Sequence, residues 1–158
     1  MTTIETVFRE SESLVGEKQS SSDFSEGARR RAWLIGVAAW AVPGLGHLIQ
    51  RRWVRGLVLG GAVWSMFLIG FSLGGHLFTI GGREQGLAIL VPGLWMVGDL
   101  GAGLLYVLCW FLNVGFLDTP QAAARVTFEY GNTFLVVAGL LNYLAMLDAF
   151  DIAAGRKQ

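Results

Sequence analysis

The sequence predicts an all-α integral membrane protein: a helical bundle of about four transmembrane segments, the first interrupted by a Pro-Gly break. Three observations predict it. Hydrophobic residues make up 53% of the 158-residue chain and charged residues only 15%, against about 25% in soluble domains. Mean hydropathy is +0.51. The charges are also crowded, with eleven of twenty-four in residues 1–31. From Ala32 onward short polar clusters separate long apolar runs.

Residues 1–31 read as a polar, disordered cytoplasmic tail, and residues 32–157 as the transmembrane domain. Ser11, Ser13 and Ser20 to Ser22 interrupt any core in the tail. Ile4, Val7, Phe8 and Val15 fall near helical spacing, so a short interfacial helix is the alternative. The tail has no apolar core of the signal-peptide kind. Segment one runs from Ala32 to about Gln50, just long enough to span, since about 20 residues are needed. Pro43-Gly44 kinks it or ends it early. Arg51, Arg52 and Arg55 follow, with Trp53 as an interfacial anchor.

Segment two, Gly56 to about His76, is the cleanest span. Its Gly56-xxx-Gly60 and Gly70-xxx-Gly74 pairs suit close packing within the bundle more than dimerisation. Gly81 to Gly86 reads as a loop. Segment three is Leu94 to Gly115, with a start at Leu87 and a proline kink as the alternative. Residues 117–132 form a polar connection carrying Asp118, Pro120, Arg125 and Glu129. Segment four runs from Thr133 to Phe150, and Arg156 and Lys157 follow it.

Arginine placement leaves the topology of segment one in tension with the positive-inside rule. A full crossing separates Arg29 to Arg31 from Arg51, Arg52 and Arg55. A hairpin broken at Pro43-Gly44 keeps them together, and charge counting slightly favours it. Charge pairing favours four crossings, with Asp148 and Asp151 near Arg29 to Arg31, and Glu129 and Asp118 near Arg51 and Arg52. Four crossings with both termini cytoplasmic is the expected arrangement.

Two stretches carry a resemblance. One is Ala39 to His47, containing Pro43, Gly44 and Gly46, followed by Arg51-Arg52 and Arg55-Gly56. The other runs from Phe128-Glu129-Tyr130-Gly131 through Asn142 to Asp148, Asp151 and Lys157. Together they resemble an uncharacterised bacterial membrane-protein family, domain of unknown function 6677, associated mainly with Acidobacteria. The first stretch is also distantly similar to the two-transmembrane domain, in which a glycine-rich turn with a histidine and a basic residue joins two helices. Pro43 departs from that pattern and puts a straight hairpin in doubt. The resemblance covers roughly Ala32 to Lys157. It implies a multi-pass bundle in a bacterial inner membrane and no assigned reaction.

Few residues point to chemistry. Asp99 is an intramembrane carboxylate and therefore a functional candidate. It lies about 8 Å deep if segment three starts at Leu94 and about 18 Å deep if it starts at Leu87. A structural hydrogen bond, with His76 as partner, is the expected role; a proton or ion site is the alternative. His47 and His76 cannot share a haem, because segment two holds them about 30 Å apart. His47 is expected to tether the turn after Pro43 or to meet lipid headgroups. Asp148 and Asp151 lie three residues apart at a helix C-terminus, where the macrodipole disfavours carboxylates. They want cations from Arg29 to Arg31 or from Arg156 and Lys157, with a divalent-ion site as the minority reading. Asn142 is expected to bond across a helix interface.

Cys109 is the only cysteine, an apolar filler, so an internal disulfide is excluded. Zero net charge argues against nucleic-acid binding. No cofactor or metal is expected, and no catalytic constellation is recognisable. The expected role is a non-enzymatic accessory or scaffold subunit of a membrane assembly. One alternative is a small ion or solute transporter or channel using Asp99. Another is a protein that binds lipid headgroups through His47, Arg51, Arg52 and Arg55. Membrane lipids are the expected partners, together with other membrane subunits or further copies of the chain.

Overall fold

The computed structural model describes residues 26–79, 90–116 and 125–157. Within them the chain is helix, turn and short irregular connection, with no strand. The expectations for residues 1–25, for the Gly81 to Gly86 loop, and for Asp118 and Pro120 lie outside the described residues.

Helix α1 covers residues 26–41, so the stretch expected as tail is helical from residue 26. Arg29 to Arg31 and the alanines that follow are good helix formers. Pro43 ends the helix by disfavouring helical geometry at the residue before it, and Gly44 turns the chain with φ 88°. Helix α2, Leu45–Ile49, is only five residues long. Arg51 follows with φ 59°, and α3, Trp53–Ser72, begins.

Segment one therefore does not cross as a single span. It doubles back. A β-carbon on Gly46 would stand 2.5 Å from that of Ala39, 2.9 Å from that of Ala149 and 3.3 Å from the Ile35 carbonyl. Residue 46 thus lies beside residues 35–39. The physical reason is the position of the break. Ala32 to Ala41 supplies only about 15 Å of helix, half the roughly 30 Å hydrocarbon core. As a result, Arg51, Arg52 and Arg55 sit at the same end of the bundle as Arg29 to Arg31.

Helix α3 and the final helix α6, Phe128–Ala153, are long and apolar enough to cross a membrane. They run antiparallel, with Arg55 near Asp148 and Gly70 against Gly131. The buried stripe of α3 is Gly56, Gly60, Val63, Phe67 and Gly70, at alternating spacings of four and three. The facing stripe of α6 includes Gly131, Leu135, Ala138, Gly139, Asn142 and Ala145. Small residues on both faces bring the backbones close. Gly56 and Gly60 pack inside the molecule, against Leu48 and the Pro43 carbonyl. Helix α6 exceeds segment four at both ends, and Glu129 in its first turn suits the positive end of the helix dipole.

Segment three is also broken. Helix α4 is Leu90–Leu100 and α5 is Leu104–Leu112, and the axis bends by 112° between them. Helix α4 starts before Leu94, and Pro92 sits in its first turn, where a missing N–H is harmless. Gly98 lies against Val136, and Gly101 against Gly139 and Tyr143, so α4 advances along α6. After the bend α5 leads away again, and the Gly115 carbonyl accepts a hydrogen bond from Leu77 N–H (2.8 Å) beyond the end of α3. The two broken segments approach from opposite ends of the α3/α6 pair.

Val63, Phe67, Leu77, Leu105, Tyr106 and Leu135 form the core, with Cys109 half-buried against it. Outside it the surface is greasy: Val54, Leu57 and Phe111 are 77%, 65% and 80% exposed. Apolar exposure of this kind on every outer helix suits lipid as the surrounding medium. Two helices qualify as membrane spans, and three if the bent pair counts as one. The described residues do not provide a fourth.

Gly103 has φ 66°, and a β-carbon there would collide with the Trp40 carbonyl. Gly61, in α3, has open space around its Cα. Gly103→Ala is expected to destabilise the protein by about 1–3 kcal/mol or more. Gly61→Ala should be neutral or stabilising by up to about 1 kcal/mol. Thermal unfolding in detergent measures both. In a Cys109→Ser background, single cysteines at Arg51 and Arg156 should label from one side of a sealed vesicle, and one at Val126 from the other.

Candidate functional site

The two breaks meet on Asn142, which is completely buried in the middle of α6. Its side-chain amide Nδ2 donates to the Trp40 carbonyl (2.9 Å) and to the Gly101 carbonyl (2.8 Å). One carbonyl comes from the last turn of α1 and the other from the turn after α4. Trp40 Nε1 adds a bond from the first break to the second, donating to the Leu100 carbonyl (3.1 Å). Helix ends strand up to four carbonyls each; here N–H groups of the turns meet those of Ala38, Gly98, Asp99 and Leu100, and Asn142 meets those of Trp40 and Gly101. The expected role of Asn142, a bond across a helix interface, is what the structure shows, extended to three segments.

A second junction holds the returning arm. His47 is fully buried, and its Nε2 lies 3.1 Å from Asp148 Oδ2. Gln50 Nε2 donates to both the Gly46 and Ala149 carbonyls at 3.0 Å. Lys157 pairs with Asp148 Oδ1 at 3.0 Å, and Arg55 stands 3.8 Å from Asp148 Oδ2. Asp151 pairs with Arg156 at 3.4 Å and with Lys157 at 3.9 Å. The cations that pair with Asp148 and Asp151 are thus Lys157, Arg156 and Arg55, not Arg29 to Arg31. These partly exposed pairs are each worth only about 0–1 kcal/mol. His47 tethers the turn after Pro43, as expected, and is too buried to meet headgroups.

The third junction is the irregular stretch after α3. Asp99, 1% exposed, accepts a hydrogen bond from Phe78 N–H at 2.9 Å. Tyr106 hydroxyl donates to the Phe78 carbonyl at 2.8 Å. His76 is not the partner of Asp99. Its backbone N–H donates to Asn132 Oδ1 at 2.7 Å, and its ring Nε2 lies 3.2 Å from the Phe116 carbonyl. The reason is the irregular backbone over residues 75–79, which carries Phe78 rather than His76 to the carboxylate.

Glu129 and Tyr130 stay exposed at the start of α6 and join none of these junctions. Arg51 and Arg52, expected beside Glu129, lie instead at the Asp148 end, because segment one turns back. Trp40, Gln50 and Asn132 were not legible as contacts. A lone tryptophan or glutamine at a segment end carries no sequence signal of its partner. Among the described residues no group of three His, Cys, Asp or Glu side chains could hold a metal ion. Three buried polar atoms have no hydrogen-bond partner among the described residues: Asn142 Oδ1, Asp99 Oδ1 and His47 Nδ1. The site is thus a polar clasp inside an apolar bundle.

The sequence profile of one family matches residues 34–158, most of the chain and both breaks. The chain belongs to DUF6677, a family of unknown function. No curated protein and no solved structure matches it. The DUF6677 segment takes in Asn142, His47 and Asp148, whereas Arg29 to Arg31 precede it.

Asn142→Leu strands two buried carbonyls. Leaving a buried acceptor unmet costs about 1–3 kcal/mol, while polar bonds in membrane bundles average about 0.6 kcal/mol. A loss of roughly 2 kcal/mol in total is expected, larger than for Asp148→Asn, and denaturation in detergent micelles reads it.

Proposed function

We propose that the protein is a non-enzymatic accessory membrane protein that acts at one membrane surface by holding anionic lipid headgroups against its basic end. The observation that carries this reading is charge asymmetry. Arg29, Arg30, Arg31, Arg51, Arg52, Arg55, Arg156 and Lys157 gather at the end where segment one enters and returns. Glu26, Asp148 and Asp151 are the acids there, so eight positive charges against three negative leave five in excess. Near an anionic leaflet each basic residue contributes about 1 kcal/mol of attraction. Trp33 and Trp53, both 61% exposed, flank the arginines as interfacial aromatics do. By the positive-inside rule this end and both chain ends face the cytoplasm, in keeping with a bacterial inner membrane.

The arginines reach that surface because of the fold. Pro43-Gly44 returns the chain, and Arg51, in left-handed geometry, turns it into α3. A role as a subunit of a larger assembly is compatible with this and adds a protein partner. The transport reading has less support: Asp99 binds backbone, and the carbonyls at the breaks already accept side-chain donors.

Phospholipid that co-purifies in mild detergent is expected to be enriched several-fold in anionic over zwitterionic species relative to the membrane of origin. Replacing Arg51, Arg52 and Arg55 together by Gln should reduce that enrichment by about half. A co-purifying lipid composition equal to the bulk would sink the proposal.

A further inference from the structure

We infer that the cleft between α1 and α6 is a discrete lipid site: one acyl chain of an anionic phospholipid lies in it, and the phosphate meets Arg29 and Arg30. The inference rests on the reading that the basic end engages anionic lipid, and it narrows that reading to one place and one ligand.

The cleft has a volume of about 370 Å³. Trp33, Gly36 and Trp40 wall it on the α1 side, and Tyr143, Met146 and Phe150 on the α6 side. Its lining is wholly apolar for a specific reason. The two aromatic residues at its inner end turn their polar atoms away. Trp40 Nε1 donates to the Leu100 carbonyl and Tyr143 hydroxyl to the Val97 carbonyl, both on α4. Only ring faces are left toward the cleft. Gly36 opens the floor, since a β-carbon there would reach Phe150 at 3.5 Å, ordinary contact. Trp33 and Phe150 meet edge to face at 5.4 Å and frame the outer end.

A basic hollow adjoins the cleft across Trp33. A second cavity, about 520 Å³, is bordered by Arg29, Arg30, Glu26, Gly27 and the same Trp33. One indole is therefore the shared wall of an apolar slot and a cationic pocket. Two guanidiniums against one carboxylate leave that pocket positive. Guanidinium groups bind phosphate oxygens through paired N–H donors.

Dimensions choose the occupant. From Phe150 to Tyr143 is seven residues, about 10 Å along α6. This compares with roughly 15 Å for half of the hydrocarbon core. The slot thus takes the upper part of one chain while the headgroup stays at the surface. The occupant that combines an anionic head with a single thin apolar tail at this depth is a phospholipid.

The test uses the full chain in nanodiscs of equal phosphatidylglycerol and phosphatidylcholine, followed by detergent delipidation and native mass spectrometry. One phosphatidylglycerol per chain is expected to survive on the wild type. Arg29→Gln with Arg30→Gln should cut its occupancy about tenfold, and so should Gly36→Leu, which fills the slot. Val37→Trp blocks the slot from its lipid-facing lip, where Val37 is 55% exposed, and should act alike; it carries the test alone if Gly36→Leu does not fold. Arg51→Gln with Arg52→Gln should leave this one lipid in place. If the wild type shows no preference for the anionic lipid, the broader reading of the basic end fails as well. If phosphatidylglycerol is retained but the slot variants do not change it, the slot inference alone is overturned. Mass corresponding to a second chain in place of lipid, or retained lipid lost only with residues 1–25 deleted, would also overturn it.

Discussion

The bundle depends on the Asn142 amide. Two of the chain's apolar segments are interrupted, and each interruption strands backbone carbonyls in surroundings that offer no water. Leaving them unmet would cost about 1–3 kcal/mol each. A single side-chain NH₂ group has two hydrogens, and the structure gives one to Trp40 and one to Gly101. Both breaks are thereby anchored to α6, one of the two helices that run uninterrupted. The clasp works only if three backbones come within reach of one residue. That is why Gly101, Gly103 and Gly139 surround it: a β-carbon on any of the three would collide with a neighbouring carbonyl.

The pins at the two ends of the bundle follow from that centre. Once the tip at Pro43-Gly44 is held at the level of Asn142, α2 must return alongside α6. His47 and Gln50 then fall opposite Asp148 and Ala149. Once the tip at Gly101 to Gly103 is held from the other direction, α5 must lead back toward the end of α3. There Asp99, Tyr106 and the Gly115 carbonyl bind the irregular backbone of residues 77–78. The buried polar side chains thus serve mainly to fasten irregular backbone. The surface outside them is divided between exposed apolar side chains and one strongly basic end.

This division gives the functional reading its direction. In the described residues the concentrated and accessible chemistry is guanidinium at one end of the bundle. Apolar aromatic walls adjoin it through Trp33. The fold brings two arginine triplets, separated by twenty residues of sequence, to one side. It does so by turning back a segment whose length would allow it to span.

Much of this was legible in the sequence. Composition and the spacing of apolar runs determined the all-α membrane class. The glycine and alanine stripes of α3 and α6 determined which faces meet, because side-chain size at helical spacing is a local property. Pro43-Gly44 announced a break, and the charge pattern already leaned toward a hairpin. What the sequence could not decide was the direction of the chain after each break. A proline or glycine frees the backbone without choosing where it goes, and Gly101 to Gly103 gave no warning stronger than flexibility. Only tertiary structure chose, because the choice rests on hydrogen bonds between residues 41 and 102 positions apart, Gly101 and Trp40 with Asn142. A partner that distant in the chain leaves no periodicity to read.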